Sequence, residues 1–438
     1  MGTGREAALT ALTACRRLDA WSDGSLKAAC RELDRREAAL AARLTYGVLQ
    51  NRALLDYYLG AFCTQPFESL EPFIRDVLRL GAYQILYMDR VPDSAAVDES
   101  VELVKRKKRQ RASGMVNAVL RRLSREKAVL PPVPSESPVE GMSLRYSHPR
   151  WLVERLAALL GEEETEAFLS RNNESVPTVI QRNSLRCTPE ELAERLAADG
   201  ALIEPHPWMP ECWLLSGGGS LEAMYAFQKG WFQVQDAAAK AAVLASGVKP
   251  GDRVLDVCAA PGGKSFAAAM AMEDRGEIIA GDIHRHKLTL IEKGAERLGL
   301  TCIQPALADG RQFREEWLEG FDVVLCDVPC SGLGIIRKKP DIRYKDPAQL
   351  AGLPRVQRAI LENAGRYVKP GGVLLYATCT VLPEENEEIT ADFLSRRPEF
   401  ALEPFRLPGL DGENGGSITL WPQRHGTDGF YICRMRRS

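Results

Sequence analysis

Two short segments carry the residue types best suited to covalent chemistry: Asp327-Val328-Pro329-Cys330-Ser331-Gly332 and Ala377-Thr378-Cys379-Thr380. Each follows an apolar run of strand length, residues 321–326 and 372–377. A cysteine attacks as its thiolate, and an ordinary thiol pKa near ~8.5 leaves it mostly protonated until positive charge or a helix N-terminus lowers it. Lys264 and the stretch Arg337-Lys338-Lys339 are the cations available for that task. Zinc binding by Cys326 and Cys330 is the competing use, but Cys-x3-Cys without a second pair nearby is a weak zinc pattern. No metal is expected. The other nine of the eleven cysteines read as small buried hydrophobes.

A third segment, Cys258-Ala259-Ala260-Pro261-Gly262-Gly263-Lys264-Ser265, has the look of a ligand loop. Its Gly-Lys-Ser end fits a P-loop, but the first glycine of that pattern would fall at Cys258. The adjacent pair Gly262-Gly263 does not supply the G-x-G-x-x-G of a dinucleotide site either. What remains is a glycine turn at a helix N-terminus, with Asp282 about twenty residues later, the place where an acid meets ribose hydroxyls. Asp309 falls near the next strand end, where it could accept from an adenine amine, and Asp327 follows at the one after. Any one of these acids could be a helix cap. Three in succession point instead to a nucleoside cofactor, and S-adenosylmethionine fits better than a phosphorylated nucleotide.

A thiolate beside a methyl donor suits one reaction well. C5 of a cytosine is a weak nucleophile until a thiolate adds at C6 and makes the ring enamine-like. A base must then take the C5 proton so that the thiolate can leave. An acid such as Asp327, hydrogen-bonded at N3, would favour the addition.

The elements needed to bring these groups together are legible around them. Residues 253–258, 277–282, 321–326 and 372–377 read as strands separated by helices, so residues 236–438 form a Rossmann-like domain with a doubly wound, mostly parallel sheet. Ligands then sit at the carboxyl ends of its strands. Residues 146–235 alternate short helical and strand-like stretches and read as a small α/β module. Residues 1–128 are helical in pattern, with Phe73, Val77, Leu80, Tyr83 and Tyr87 on one face, and form a bundle. Pro131, Pro132, Pro134 and Pro138 mark residues 129–145 as a linker.

The formal net charge of −2 conceals an asymmetry. Residues 1–130 hold 22 Lys+Arg against 16 Asp+Glu, a balance of +6, which leaves −8 for the remainder. The run Lys105-Arg106-Lys107-Lys108-Arg109-Gln110-Arg111 is the sharpest excess and is either a solvated helix end or a set of phosphate contacts. No apolar run nears the ~18 residues of a membrane span. The N-terminus lacks the apolar core of a secretion signal, so a cytoplasmic chain with no membrane partner is expected.

The loop 258–264, the segment 327–332 and the segment 378–380, in that order, resemble the Sun-type RNA cytosine-C5 methyltransferases, as does Gly230-Trp231-Phe232-Gln233-Val234-Gln235-Asp236. Residues 337–344, Arg79-Leu80-Gly81-Ala82-Tyr83-Gln84 and Asn117-Ala118-Val119-Leu120-Arg121-Arg122 are similar to the branch of that family that acts on bacterial small-subunit rRNA and carries a NusB-like RNA-binding bundle. The resemblance covers essentially the whole chain. It implies Cys379 as nucleophile, Cys330 as the group assisting product release, and cofactor contacts from Cys258, Ala259, Ala260, Pro261, Gly262, Gly263, Lys264, Asp282, Asp309 and Asp327. Val328 stands where the family often has Pro or Ala, and Thr380 where it often has Ser; neither removes a reactive group. The implied substrate is 16S rRNA at a cytosine near the ribosomal P site. Because the base must be flipped out, naked or partly assembled RNA is the expected form, with no obligate protein partner. A tRNA substrate, a non-catalytic RNA-binding or antitermination factor, and a P-loop ATPase remain as alternatives.

Overall fold

The computed structural model describes residues 3–18, 22–134 and 136–438. It divides into two compact units, the first reaching to Glu174 and including Ile336–Lys345, the second made of Ser175–Ile335 and Asp346–Ser438.

The first unit is helical: α1 (Gly4–Leu18), α2 (Ser22–Ala29), α3 (Arg35–Phe62), α4 (Pro72–Tyr87), α5 (Asp93–Arg106), α6 (Ser113–Glu126), α7 (Pro138–Arg145), α8 (Arg150–Leu160) and α9 (Glu162–Arg171). Asp34 caps α3, accepting from the Glu37 N–H at 2.9 Å, and Pro72 opens α4, where no amide donor is missed. The predicted face of α4 is buried at Val77, Leu80 and Tyr83 and half-buried at Phe73 and Tyr87, and the helix is enclosed on its other sides too, from Asp76 to Ile85; Leu44, Val48, Leu55 and Leu59 of α3 share this core. Gly81 lets the helices close up, since a Cβ there would lie 2.5 Å from Leu120 of α6 and 2.8 Å from the Ser100 hydroxyl of α5. The buried Arg79 guanidinium is bound by Asp56 at 2.6 Å and Asp76 at 2.8 Å; burial opposes its charge, and the two carboxylates outweigh that and raise its pKa.

The basic run closes α5, where cations suit the negative end of the helix dipole; Lys105 pairs with Glu102 and Arg109 with Glu71. Residues 138–145, within the segment expected as a linker, are helical, with Ser137 as N-cap. The segment Ile336–Lys345 packs into this unit through Arg343, which is fully buried and donates from Nη1 to the carbonyls of Gln50, Tyr146 and Ser147 and to Asn173. Tyr344 donates to the Leu49 carbonyl at 2.6 Å.

The second unit holds two sheets. The smaller is antiparallel, in the order β2–β3–β1–β4, from β1 (Thr178–Arg182), β2 (Ala201–Pro205), β3 (Cys212–Gly217) and β4 (Phe232–Val234). It packs on α10 (Pro189–Ala198), which a complete Thr188–Glu191 capping box starts, and on the short α11 (Tyr225–Gln228).

The larger sheet comprises β5 (Arg253–Asp256), β6 (Glu277–Asp282), β7 (Ile303–Leu307), β8 (Phe321–Asp327), β9 (Val368–Thr378), β10 (Phe400–Leu402), β11 (Ser417–Leu420) and β12 (Phe430–Arg437). Its order is β10–β12–β9–β8–β5–β6–β7, with β11 paired to β12. The five strands from β9 to β7 are parallel, as the sequence pattern requires. The antiparallel edge at β10, β11 and β12 is not signalled by the sequence, because β10 and β11 are only three and four residues long and the helix between β11 and β12, Pro422–His425, is a single turn. Helices α12 (Ala237–Ser246), α13 (Gly263–Ala271), α14 (Arg285–Leu298), α15 (Pro347–Leu350), α16 (Leu353–Tyr367), α17 (Glu387–Arg396) and α18 (Pro422–His425) complete the α-helices of the unit among the described residues. Ala237, Ala241, Ala267 and Ala268 are buried, small side chains that let α12 and α13 lie close in the core. The chain leaves β5 toward β6 on one side and returns at β8 on the other, so a crevice opens where the strand order reverses.

No helix among the described residues is long and apolar enough to cross a membrane.

Candidate active site

The crevice is a cleft of about 520 Å³ at the carboxyl ends of β5, β6, β7, β8 and β9, a size usual for small-molecule sites. Of the residues singled out by sequence, Cys258, Ala260, Lys264, Asp282, Asp309, Asp327, Cys330 and Cys379 form its wall. Ala259 is buried behind it, while Pro261, Gly262 and Gly263 shape the turn without lining the cleft. Gly262 has φ +111°, and a Cβ there would sit 2.3 Å from the Phe266 ring, so this turn admits only glycine.

Register brings the two thiols together. β8 and β9 pair in parallel with Asp327 opposite Ala377, so the chain segments that follow leave the sheet side by side. Cys330 and Cys379, 49 residues apart in the chain, end with their sulfur atoms 3.3 Å apart. The loops bearing them are laced to each other. The Gly334 N–H donates to the Cys379 carbonyl at 3.0 Å, and the Ser331 and Thr380 hydroxyls are 2.7 Å apart. Thr378 donates to Asn386 Oδ1 at 2.6 Å, and Asn386 Nδ2 donates to the Thr380 carbonyl at 3.1 Å.

Charges are arranged around this pair. Lys264 Nζ lies 2.6 Å from Asp327 Oδ2 and 5.1 Å from the Phe430 ring centre. Burial works against the lysine's charge, but Asp327, Asp256 and a Cys379 thiolate together raise its pKa, so the ammonium is secured. The Cys330 thiol is pushed well up, first by its hydrogen bond to Cys379, then by burial and by the negative charges of Cys379, Glu385 and Asp327. Cys258 is also pushed up, by burial. Asp256, at the foot of the loop, is pushed up to about 7 by burial, with Asp327 adding to the shift and the Ser265 hydroxyl, donating at 2.7 Å, opposing it.

The acids at the strand ends differ in how they are engaged. Asp282 Oδ1 accepts from the His284 N–H at 2.8 Å, a capping contact, while its side chain still lines the cleft. Asp309 is bound by Arg311, with contacts of 2.7 and 2.9 Å, and that hydrogen bonding depresses its pKa. The residues present fit a nucleoside sulfonium. The glycine turn leaves its backbone open, and the acids meet hydroxyls and positive charge.

Sequence reasoning missed the residues behind the thiols. Glu385, 2% exposed, accepts at Oε2 from the Ser331 N–H at 2.9 Å and from Gln357 Nε2 at 2.8 Å; Gln357 Nε2 also donates to the Pro329 carbonyl at 3.0 Å. In the sequence Glu384, Glu385, Glu387 and Glu388 stand in one acidic run, and nothing local distinguishes the buried Glu385 from the half-buried Glu384 or the exposed Glu387 and Glu388.

Comparison with known proteins places this geometry in context. Residues 243–436 match the family described as 16S rRNA methyltransferase RsmB/F, residues 3–125 the NusB family, and residues 148–222 the ferredoxin-like domain of RsmF/B-like methyltransferases. The chain is 36% identical to the probable ribosomal RNA small subunit methyltransferase B of Bacillus subtilis, over 99% of this chain and 98% of that protein. It is 32% identical to the ribosomal RNA small subunit methyltransferase B of Klebsiella pneumoniae, over 91% and 90%. Among solved structures, that of PH0851 superposes with a TM-score of 0.85 at 28% identity, covering 99% of this chain and 98% of that one.

Proposed function

Because the chain belongs to the RsmB/F family of 16S rRNA methyltransferases, which take their methyl group from S-adenosylmethionine, we propose that it methylates C5 of a cytosine in 16S rRNA through a covalent adduct on Cys379. One observation carries the cysteine chemistry: two thiols 3.3 Å apart at the rim of a cleft that also holds Asp282, Lys264 and Asp327. S-adenosylmethionine supplies an electrophilic methyl group there. The turn from Cys258 to Lys264, Asp282 on the ribose hydroxyls and Asp309, sharing its carboxylate with Arg311, are the residues that would hold it.

The remaining work falls to the chain's own side chains. Cys379 adds through sulfur to C6, a bond that pushes ring electron density onto C5, the atom to be methylated. As addition at C6 makes N3 basic, Asp327 relays a proton to it from the Lys264 ammonium 2.6 Å away. Once Cys379 is alkylated it bears no charge, so the hydrogen bond and the negative charge that kept the proton on Cys330 are gone. Cys330 then loses its proton to solvent water, and its thiolate takes the C5 proton. The C–H electron pair becomes the C5–C6 double bond, and the S–C6 bond breaks to return a thiolate to Cys379. Unpaired RNA suits such a site, since extruding a base from a helix costs a few kcal/mol.

Bisulfite mapping of rRNA tests the reading in cells lacking the protein and complemented with wild type, Cys379→Ala or Cys330→Ala. We expect one protected cytosine in 16S rRNA with wild type only, and a denaturant-stable protein–RNA adduct with Cys330→Ala. Protection that survives Cys379→Ala, or that maps to tRNA instead, would overturn it.

A further inference from the structure

The division of labour between the thiols needs Cys330 held in one place while Cys379 is bound to RNA. The peptides on both sides of Cys330 lead to one buried carboxylate. Glu385 takes the Ser331 N–H directly at 2.9 Å and reaches the Pro329 carbonyl through Gln357, whose Nε2 is 2.8 Å from Glu385 and 3.0 Å from Pro329. Glu385 is itself anchored, its backbone carbonyl accepting from the Tyr376 hydroxyl at 2.6 Å. We propose that Glu385 is a positioning residue that brackets Cys330 and makes release of methylated RNA depend on it. This rests on the roles given to the two cysteines above.

A purely structural role explains the site poorly. Glu385 Oε1 is buried with no partner in the chain, and a buried carboxylate with half its acceptors idle costs more than a neutral amide of the same shape. Its negative charge does have a use. The groups facing Cys330 are Cys379 after β9, Asp327 at the end of β8, and Glu385, with Tyr376 beneath and Lys264 reaching the group through Asp327. When Cys379 is alkylated its influence disappears, leaving Glu385 and Asp327 to keep the Cys330 thiolate strongly basic, as removal of a C5 proton requires.

The test is the decay of the adduct in single turnover, with full-length protein, in vitro transcribed 16S rRNA and S-adenosylmethionine, followed across pH. Glu385→Gln keeps the shape and removes the charge. We expect its adduct to live about tenfold longer at the alkaline plateau, the effect of losing one hydrogen bond to a charged group. The midpoint of the pH dependence should move downward, because less negative charge then opposes Cys330 ionisation. Adding Glu385→Gln to Cys330→Ala should lengthen the lifetime no further. Wild-type decay with an unmoved midpoint, or a full additional effect on top of Cys330→Ala, would overturn the proposal. Gln357→Leu, which cuts the link to Pro329 and leaves the carboxylate in place with the Ser331 N–H as its remaining donor, should also prolong the adduct, and it decides the matter if Glu385→Gln does not fold. Failure of Cys330→Ala to trap any adduct would instead sink the parent reading, so the two failures are distinguishable.

Discussion

Asp256→Asn is expected to stabilise the protein at alkaline pH while changing little under acid conditions. The carboxyl is 1% exposed, one oxygen is held by Ser265 and the other has no partner, so burial favours its neutral form. Its pKa rises from 3.8 to about 7. A folded-state value above the unfolded one means that this group's contribution to stability is fully present below pH 3.8 and is lost as pH rises through 7. Each unit corresponds to about 1.4 kcal/mol, so between pH 5 and pH 8 ionisation of this group should cost roughly 2 to 3 kcal/mol more. Asparagine resembles the protonated acid in shape and cannot ionise. Thermal unfolding without cofactor at both pH values is the assay. For a unit of this size 1 kcal/mol is about 2–4 °C, so the variant's melting temperature relative to wild type should be roughly 5–10 °C higher at pH 8 than at pH 5. A difference that stays constant with pH, or shrinks as pH rises, would refute the argument.

Gly262→Ala combines a left-handed backbone with a Cβ 2.3 Å from the Phe266 ring; it should cost about 1–3 kcal/mol in urea unfolding and weaken S-adenosylmethionine binding in calorimetry, with unchanged affinity counting against the assigned turn. Lys264→Met removes the ammonium bound to Asp327 at 2.6 Å, and single-turnover methyl transfer should slow about 10- to 100-fold, the value of a charge-assisted hydrogen bond. A rate within about twofold of wild type would exclude Lys264 from supporting Asp327.

Much of the molecule was legible because local chemistry dictates it. The turn 258–264 announces itself through Gly262, whose φ of +111° suits glycine and little else, and through the apolar strand before it. The alternation of apolar runs with helical stretches from 253 to 378 admits essentially one arrangement, a parallel sheet with ligand-bearing ends, and that is what forms. The spacing of Val77, Leu80 and Tyr83 marks one buried face of α4, while burial of its other sides, at Leu78, Ala82 and Gln84, comes from packing within the bundle.

Other features belong to the tertiary structure only. That Cys330 and Cys379 stand 3.3 Å apart depends on the register of β8 against β9, since a shift of either strand would separate residues so distant in sequence. Arg343 stands in a run of charged residues yet is fully buried against the Gln50 and Ser147 carbonyls of the bundle unit, a fate set by its surroundings. Glu385 shows the limit most clearly. Composition marks it as surface, and only the folding of α16 and the Cys330 loop over it supplies the donors that make its burial tolerable. Sequence determines what each segment can do locally; which polar groups are removed from water, and who then satisfies them, is decided by packing between segments far apart in the chain.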